Sequence, residues 1–493
     1  MMRNLLSLFR HCLAFLMAAA LMICCACQEE QAPTQPIPNQ STSPSITSEV
    51  EKPESISWMS HDGLLPEDGQ AEWDAEYERL TGIKLRHSYI SGTEYNKRID
   101  LYAKAGTLPD VFDLGYTFYP EYAAGNVLAD LTELVHASGL YDRVDPALWE
   151  QVTMDGKIYG VPKEQPQARG TYVRKDWLDR LGMDVPTTYN EFITMLERFR
   201  NEIDECQVPY IAPDLVSSAY LPEFYQGMQT EIIEINGVWV DGMQQPGMAE
   251  ALSNLQRAYA DGLLGRDVAT NTTAACRDAW TMGTVGAFCY WAGSWGQQLS
   301  DGLKQNVPDA EIICIPPIEG AVYLFSRPTA HVISAELSDE EVEQVFTYFI
   351  AYMHDGGEGQ RLFESGVEGV HWEQAGDHIQ MLPQISNPSQ LLSKAYIVPS
   401  SRITPLLLEQ TLEYPPFYTE SIQIIESVAH PQYFQPVSAT YTRIASTLTT
   451  ERNDIVAQIV TGGLTVEEGL AAYAKIADEL GLDDALAEMN RSS

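Results

Sequence analysis

Between residues 55 and 115 the spacing of the apolar positions changes in a regular order. They alternate with polar residues where a strand is predicted, and recur three to four residues apart where an amphipathic helix is predicted. The predicted elements are a strand over 55–60, a helix over 67–82, a strand over 83–90, a helix over 93–106 and a strand over 109–115. This order is typical of a mainly parallel sheet with helices on both faces.

A second set of alternating elements begins near Thr171. TYVRKDWLDRLG (171–182) predicts a strand that runs into a helix, and GTVGAFCYWAGSWGQQL (283–299) predicts a strand followed by a helix that starts at Trp295. Further helices are predicted over 187–202, 247–264, 338–355, 438–463 and 465–481. The pattern therefore indicates an α/β protein whose last third is helical.

Polar and aromatic residues follow the first and third predicted strands. His61 comes directly after the first strand, while Asp113 and Tyr116 lie at the end of the third. Ligands of open α/β sheets bind beyond the carboxyl ends of the strands. We therefore predict that His61, Asp113 and Tyr116 line a ligand site.

Charge and composition limit the partners. The 493 residues include 69 acidic and 30 basic ones, for a formal net charge of −39. Such a chain repels phosphate backbones and anionic lipid surfaces, so we expect no nucleic-acid partner. A charge of this sign suits solubility outside the cell.

Known catalytic and metal-binding motifs are missing from the sequence. No CxxC spacing occurs beside a histidine cluster, and GxSxG, HExxH and P-loop patterns are absent. We expect neither a metal nor a catalytic cofactor, and no enzymatic activity. Four cysteines of the body fit one or two disulfides and isolated buried thiols equally well: Cys206, Cys276, Cys289 and Cys314.

The N-terminus is typical of an exported protein. Residues 1–26 combine a basic start with a short apolar run, which predicts a signal peptide. The run ends in CCACQEE, which resembles the lipobox of bacterial lipoproteins and makes Cys27 the predicted lipidated residue, with Cys24 and Cys25 as alternatives. Residues 27–54 are rich in proline and polar residues and predict a disordered tether.

Five segments in order resemble the extracellular solute-binding proteins of bacterial ABC importers, family 1, and most of all their large gram-positive lipoprotein branch. The segments are AKAGTLPDVFDLGYTFYPEYAAGNVLADLTELV, MDGKIYGVPKE, YVRKDWLDRLGMDVPTTYNEFITMLERFR, ESGVEGVHWE and VEEGLAAYAKIADELGLDDAL. The resemblance covers roughly residues 55–490.

The resemblance implies a type II, two-lobed fold of the periplasmic-binding-protein kind, with a hinge between the lobes. Each lobe is then a mainly parallel sheet flanked by helices. Lobe 1 is expected to comprise residues 55–165 and about 328–385, and lobe 2 about 166–327 and about 386–493. Closure of the lobes around a ligand is a hinge motion that a transporter can recognise.

The lobe junction holds three further candidate residues. Glu164 and Gln165 follow the DGKIYGVP turn, where they bind sugar hydroxyls or lie in an exposed loop. Arg169 precedes the first strand of lobe 2 and is placed toward the cleft.

Tryptophans supply the remaining candidates. In the family that the chain resembles, the segment around Trp291 and Trp295 forms an aromatic platform at the cleft, although either ring can instead belong to the core. Trp372, in GVEGVHW, is a candidate from the return segment. Indole rings stack on the apolar faces of sugars.

Together these observations predict a monomeric, lipid-anchored receptor on the extracellular side of the cell membrane. It captures a carbohydrate, with an oligosaccharide favoured, and delivers it to the permease subunits of an ABC transporter. The main alternative is a receptor for a peptide or amino-acid derivative. An exported glycan-active enzyme and an adhesin are less favoured.

Overall fold

The computed structural model describes most of the chain. The residues described are 50–60, 69–90, 92–115, 118–163, 167–326, 329–376, 378–382, 416–430, 432 and 435–492.

The strands are numbered in chain order. They are β1 (Ser55–Ser60), β2 (Lys84–Tyr89), β3 (Val111–Leu114), β4 (Thr153–Met154), β5 (Lys157–Ile158), β6 (Val161–Pro162), β7 (Arg169–Arg174), β8 (Val208–Ile211), β9 (Ile232–Ile235), β10 (Val238–Asp241), β11 (Val285–Trp291), β12 (Ile312–Ile315), β13 (Ala330–Ile333), β14 (Trp372–Ala375) and β15 (His378–Met381).

The α-helices are numbered in the same way. They are α1 (Gln70–Thr81), α2 (Gly92–Ala105), α3 (Tyr119–Ala124), α4 (Thr132–Ala137), α5 (Pro146–Glu150), α6 (Lys175–Leu181), α7 (Tyr189–Glu202), α8 (Pro222–Tyr225), α9 (Met248–Ala260), α10 (Thr273–Thr281), α11 (Ser294–Asn306), α12 (Asp339–Val345), α13 (Glu358–Ser365), α14 (Pro416–Glu426), α15 (Ala439–Val460), α16 (Val466–Leu480) and α17 (Leu482–Ser492).

Local sequence sets the ends of these helices. Thr188 caps α7 and Thr465 caps α16, each in a reciprocal pair with the glutamate three residues later. Gly82 after α1 adopts a φ of 77°, a left-handed conformation that glycine reaches without strain. The helix predicted over 338–355 differs from the expectation, because α12 continues into a π-helical turn at Phe346–Ala351.

One sheet and its helices form lobe 1. Its strand order is β2-β1-β3-β13-β6, with β1 parallel to both β2 and β3 and with β13 antiparallel to β3 and β6. The core of this lobe combines side chains from Ile56 to Val161 with others from Ala330 to Phe363.

A second sheet forms lobe 2. Its order is β12-β7-β11-β8, with β11 parallel to β8 and β7 antiparallel to both of its neighbours. Its core combines side chains from Ala168 to Tyr323 with others from Ile425 to Met489. The predicted two-lobed α/β fold is therefore confirmed.

In each sheet one strand is antiparallel to both of its neighbours, and it is the first strand that forms after the chain crosses over from the other lobe. These strands are β7 in lobe 2 and β13 in lobe 1. The chain leaves lobe 1 after β6, at the carboxyl edge of the sheet, and it enters lobe 2 at the carboxyl edge of the other sheet. A strand that starts at that edge must run away from it, which gives the antiparallel pairing.

The residues just before β1 contact lobe 1. The Tyr348 hydroxyl donates to the Val50 carbonyl over 2.8 Å, and Lys52 Nζ donates to the Thr81 carbonyl over 2.9 Å. Residues 50–54, which were assigned to the predicted tether, are therefore held against lobe 1.

Among the residues that the structure describes, no helix is both long and apolar enough to cross a membrane. The four cysteines of the body are free thiols: Cys206, Cys276, Cys289 and Cys314. Burial raises the pKa of the Cys276 thiol to about 12.

Candidate functional site

Two of the crossings between the lobes are paired through the described residues at their ends. At lobe 1 the Lys163 backbone amide donates to the Thr329 carbonyl over 2.8 Å. At lobe 2 the Ser326 amide donates to the Gln167 carbonyl over 2.5 Å, and Ala168 pairs antiparallel with Phe325. These backbone bonds hold the connections together at both ends, as a hinge between two rigid lobes requires.

The carboxyl ends of both sheets adjoin this hinge. In lobe 1, β6 ends at Pro162 and is followed directly by Lys163. In lobe 2, β11 ends at Trp291, which pairs across the sheet with Arg169, the first residue of β7. Ligand sites of α/β folds lie at such edges, so the lobe junction is the candidate site.

Several predicted site residues cannot be placed. His61, Tyr116, Glu164 and Gln165 lie outside the described residues, as does Cys27. Their neighbours Ser60, Gly115 and Lys163 are at the carboxyl edge of the lobe 1 sheet. The roles of the residues outside the described ranges therefore remain predictions: His61, Tyr116, Glu164, Gln165 and Cys27.

Asp113 lies in a buried polar cluster of lobe 1. Its Oδ2 accepts from Lys163 Nζ at 2.7 Å, and its Oδ1 is 3.0 Å from His331 Nδ1. The side chains of Asp113, Lys163 and His331 are at most 1% exposed. In this structure Asp113 therefore ties together β3, β6 and β13 and presents no surface to a ligand.

Two further buried histidines, His87 and His354, lie near this polar cluster. His87 stacks on Trp58 with ring centroids 3.9 Å apart, and its Nε2 lies 2.8 Å from Ser60 Oγ. Burial lowers the pKa of His87 to about 4 and also lowers the pKa of His354.

In lobe 2, Arg169 is stacked between two aromatic rings. Its guanidinium carbon lies 3.5 Å from the ring centroid of Trp291 and 4.3 Å from that of Tyr220. Its Nη2 donates to the Tyr220 hydroxyl over 3.3 Å. All three side chains are half-buried. The stacking fixes the guanidinium at the carboxyl edge of the sheet.

Arg277 makes a similar arrangement with Trp295. Its guanidinium carbon is 4.6 Å from the Trp295 ring centroid, and its Nη1 donates to the Tyr290 hydroxyl over 2.5 Å. Trp295 meets Tyr290 edge-on at 5.5 Å between centroids. Tyr290 is only 3% exposed and stacks on Phe288, so it is a packing residue.

These side chains form one group that we call the arginine–aromatic cluster. Its aromatic members pack together, because Tyr220, Trp291 and Trp295 all contact the core cluster that contains Tyr290. The cluster comprises Arg169, Tyr220, Arg277, Tyr290, Trp291 and Trp295. It offers two cations and two half-buried indoles at the edge of lobe 2 that adjoins the hinge.

The sequence reasoning missed two members of this cluster. Arg277 lies on α10, and Tyr220 ends the short 3-10 helix Ser218–Tyr220. Neither segment carries a recognisable motif, and both reach the sheet edge only through tertiary packing. Trp291, Trp295 and Arg169 were named from the sequence, and the structure brings them into this cluster.

Trp372 lies elsewhere, in the β14–β15 hairpin. It is 3% exposed, and its Nε1 donates to the Gly366 carbonyl over 3.0 Å. Arg361 of α13 lies 5.5 Å above the ring. The indole is thus packed beside α13 and presents no open face for stacking in this structure.

A cavity of about 570 Å³ lies between the two lobes. Lobe 1 supplies Thr153, Met154 and Tyr159 to its wall, and the opposite wall includes Gln435 and Val437. Gln435 is anchored to lobe 2, because its Nε2 donates to the Ile232 carbonyl. The volume is in the usual range for ligand pockets. None of the described residues that were predicted to bind ligand lines this cavity.

Glu223 lies buried in lobe 2. Thr171 Oγ1 donates to its Oε1 over 2.5 Å, and the Tyr210 oxygen is 3.2 Å from its Oε2. Burial raises the pKa of Glu223 from 4.5 to about 7. The Tyr210 hydroxyl can donate to the Tyr220 carbonyl 2.8 Å away, which leaves its oxygen free to accept from protonated Glu223.

We expect Glu223→Gln to flatten the pH dependence of stability. The folded state favours protonated Glu223, so its stabilising effect is complete below about pH 4.5 and is lost as the pH rises through about 7. At pH 8 the variant should be more stable than wild type by roughly 3 kcal/mol. Urea unfolding at pH 5 and pH 8 measures the difference. Exposed Glu197→Gln is the control, and equal pH profiles for Glu223→Gln and wild type would contradict the assignment.

Known proteins are similar to this chain in sequence and architecture. The sequence profile of a family described as bacterial extracellular solute-binding protein matches residues 72–361. The Polygalacturonan/rhamnogalacturonan-binding protein YtcQ of Bacillus subtilis (strain 168) is 21% identical over 346 residues, which cover 65% of this chain and 67% of YtcQ. Lipoprotein LipO of the same strain is 21% identical over 323 residues, with 60% of this chain and 63% of LipO covered.

A solved structure supports the fold. The N-glycan transport solute binding protein NgtS from Streptococcus pneumoniae superposes with a TM-score of 0.65 at 18% identity, over 89% of this chain and 98% of NgtS. The family profile covers more than half of the chain and confirms the resemblance found in the sequence. The chain belongs to the bacterial extracellular solute-binding proteins.

Proposed function

We propose that this protein is a lipid-anchored receptor that captures an oligosaccharide between its lobes and delivers it to the permease of an ABC transporter. The observation that carries this proposal is the arginine–aromatic cluster, which lies at the carboxyl edge of the lobe 2 sheet beside the hinge. The relatives YtcQ and NgtS bind or transport glycans according to their names.

The cluster has the chemistry that sugars require. A pyranose ring presents apolar C–H faces that stack on an indole, while its hydroxyls need hydrogen-bond partners around the rim. Trp291 and Trp295 supply half-buried indoles, and Arg169, Arg277 and Tyr220 supply polar groups beside them. The same lobe edge therefore combines stacking surfaces with hydrogen-bond donors.

The hinge supplies the motion that transport needs. Paired residues at the ends of two of the crossings support closure of the lobes as rigid bodies, and a transporter then distinguishes the closed form from the open one. The cavity of about 570 Å³ between Tyr159 and Val437 is a second space between the lobes and supports capture of a ligand there.

Anchoring at Cys27 is part of the proposal. The CCACQEE sequence supports it, and the name of LipO states that this relative is a lipoprotein. The proline-rich, polar composition of residues 27–54 supports a tether that would let the body move relative to the membrane.

Binding is tested by thermal and chemical unfolding of a secreted Cys27→Ala variant in the presence of glycan and peptide panels. A glycan at 100 times its Kd should raise the unfolding free energy by about 2.7 kcal/mol. The glycan should be recovered unchanged, which distinguishes a receptor from a hydrolase. Stabilisation by a peptide, with no response to any glycan, would exclude the carbohydrate proposal.

A further inference from the structure

We propose that the receptor selects acidic oligosaccharides, and that Arg169 and Arg277 bind the carboxylates of their sugar units. This inference rests on the proposed function, since it assumes that the ligand is a saccharide. It specifies acidic saccharides as the class of ligand and assigns each arginine a direct contact with a ligand carboxylate.

The first argument is the missing counter-charge. Among the residues that the structure describes, no carboxylate oxygen lies within 4.0 Å of the guanidinium of Arg169 or of Arg277. Elsewhere in the same sheets, Lys163 is paired with Asp113 and Arg174 with Asp176. The chain has 69 acidic residues for 30 basic ones, so carboxylates are not scarce. Within the described part of the chain, the half-buried guanidiniums of Arg169 and Arg277 therefore have no carboxylate partner.

The neighbouring carboxylate is already engaged. Asp214 is close enough for Arg169 to lower its pKa, although burial is the larger effect and raises it. Its Oδ1 accepts from the backbone amides of Val216 and Ser217, over 2.9 and 2.6 Å. Asp214 thus stabilises its own turn and does not form a contact ion pair with Arg169.

The second argument is the unused donor capacity. A guanidinium has five N–H donors in a planar fork that matches a carboxylate. Arg169 donates one hydrogen bond, to Tyr220, and its buried Nε has no acceptor among the described residues. Arg277 donates to Tyr290. Donors on both groups remain for a ligand, and partial burial strengthens their attraction for an anion.

The third argument is preorganisation. Each guanidinium lies against an indole, Arg169 on Trp291 and Arg277 on Trp295, so little side-chain freedom is lost on binding. A uronate unit presents a ring face and a carboxylate together. The pairing of arginine with tryptophan recognises both features, whereas a neutral sugar needs only the indole and uncharged partners.

The net charge of −39 makes this local positive charge necessary. The overall field of the protein opposes the approach of an acidic glycan. Cations must therefore be concentrated at the site itself for such a ligand to bind.

Isothermal titration calorimetry with matched acidic and neutral trisaccharides tests the inference on the secreted Cys27→Ala protein. Each pair has the same linkage and ring stereochemistry, as in α-1,4-trigalacturonate and α-1,4-galactotriose, with glucuronate/glucose and mannuronate/mannose pairs beside it. We expect an acidic member to bind at least about 100-fold more tightly than its neutral partner. Arg169→Gln and Arg277→Gln should each weaken it about 10- to 100-fold, and the double variant should remove the acidic preference.

Lysine variants and a remote control complete the experiment. Arg169→Lys and Arg277→Lys keep the charge and should retain part of the preference. Arg180→Gln removes an exposed partner of Glu205 in the same lobe and should leave the affinity for both sugars unchanged.

Equal or tighter binding of the neutral sugar would overturn the inference and leave the proposed function intact. Binding of peptides but no sugar would overturn both, and failure of every acidic glycan to bind would overturn the inference alone.

Discussion

Lys163→Met is expected to destabilise the protein by about 3–5 kcal/mol, because it leaves Asp113 buried without its cation. The Lys163 Nζ and the Asp113 Oδ2 are 2.7 Å apart, and neither side chain is more than 1% exposed. Removing one member of such a pair strands the other in a medium that solvates it poorly. Urea unfolding of wild type and variant at neutral pH measures the loss.

A double variant separates charge from packing. Lys163→Met combined with Asp113→Leu removes both charges and should recover much of the stability, since buried ion pairs are replaceable by apolar pairs. Lys157→Met, which breaks an exposed 3.0 Å pair with Asp130, is the surface control and should change little. A single variant as stable as wild type would show that the pair does not hold lobe 1 together.

The ion pair between Lys163 and Asp113 also lies beside the hinge. Lys163 is joined by its side chain to β3 and by its backbone amide to Thr329 on the returning connection. It therefore joins the end of the first crossing at lobe 1 to the end of the second. Loss of the side chain should loosen the axis about which the lobes close, and weaken ligand binding as well as stability.

Local patterns were enough to predict most of the elements. The periodicities predicted strands and helices at β1, α1, β2, α2 and β3, and the capping threonines and terminal glycines account for where several helices begin and end. These features depend on residues that are close together in the chain. The π-helical turn in the helix predicted over 338–355 was not predicted, because its apolar spacing also fits an ordinary helix.

Contacts between distant segments could not be predicted in the same way. Asp113 was predicted from its position at a strand end, but its ion pair with Lys163 joins residues that are 50 apart in the chain. Similarly, Trp372 and Trp291 are both tryptophans near glycines, yet one is packed beside α13 and the other lies at the edge of lobe 2. Tertiary packing decides which polar or aromatic group stays accessible, and sequence spacing carries little information about it.

The largest effect on binding is expected from the double variant Trp291→Ala/Trp295→Ala. Both indoles are half-buried, and both carry an arginine on one face. Removing them deletes the stacking surface and also the support of both guanidiniums, so affinity for the best trisaccharide of the calorimetric panel should fall at least about 1,000-fold. Calorimetry with the variant measures this loss.

The fold should survive the double substitution. The Tyr172 hydroxyl donates to the backbone carbonyl of Trp291, a contact that alanine retains. Trp291→Phe/Trp295→Phe keeps aromatic faces and should retain part of the affinity, while Trp177→Ala removes a fully buried core ring and should destabilise the protein by about 3–5 kcal/mol. Circular dichroism and urea unfolding distinguish these cases. If the alanine double variant loses as much stability as Trp177→Ala does, the two indoles are part of the core. If it folds and binds as tightly as wild type, the ligand lies elsewhere and the inter-lobe cavity beside Tyr159 becomes the site to test.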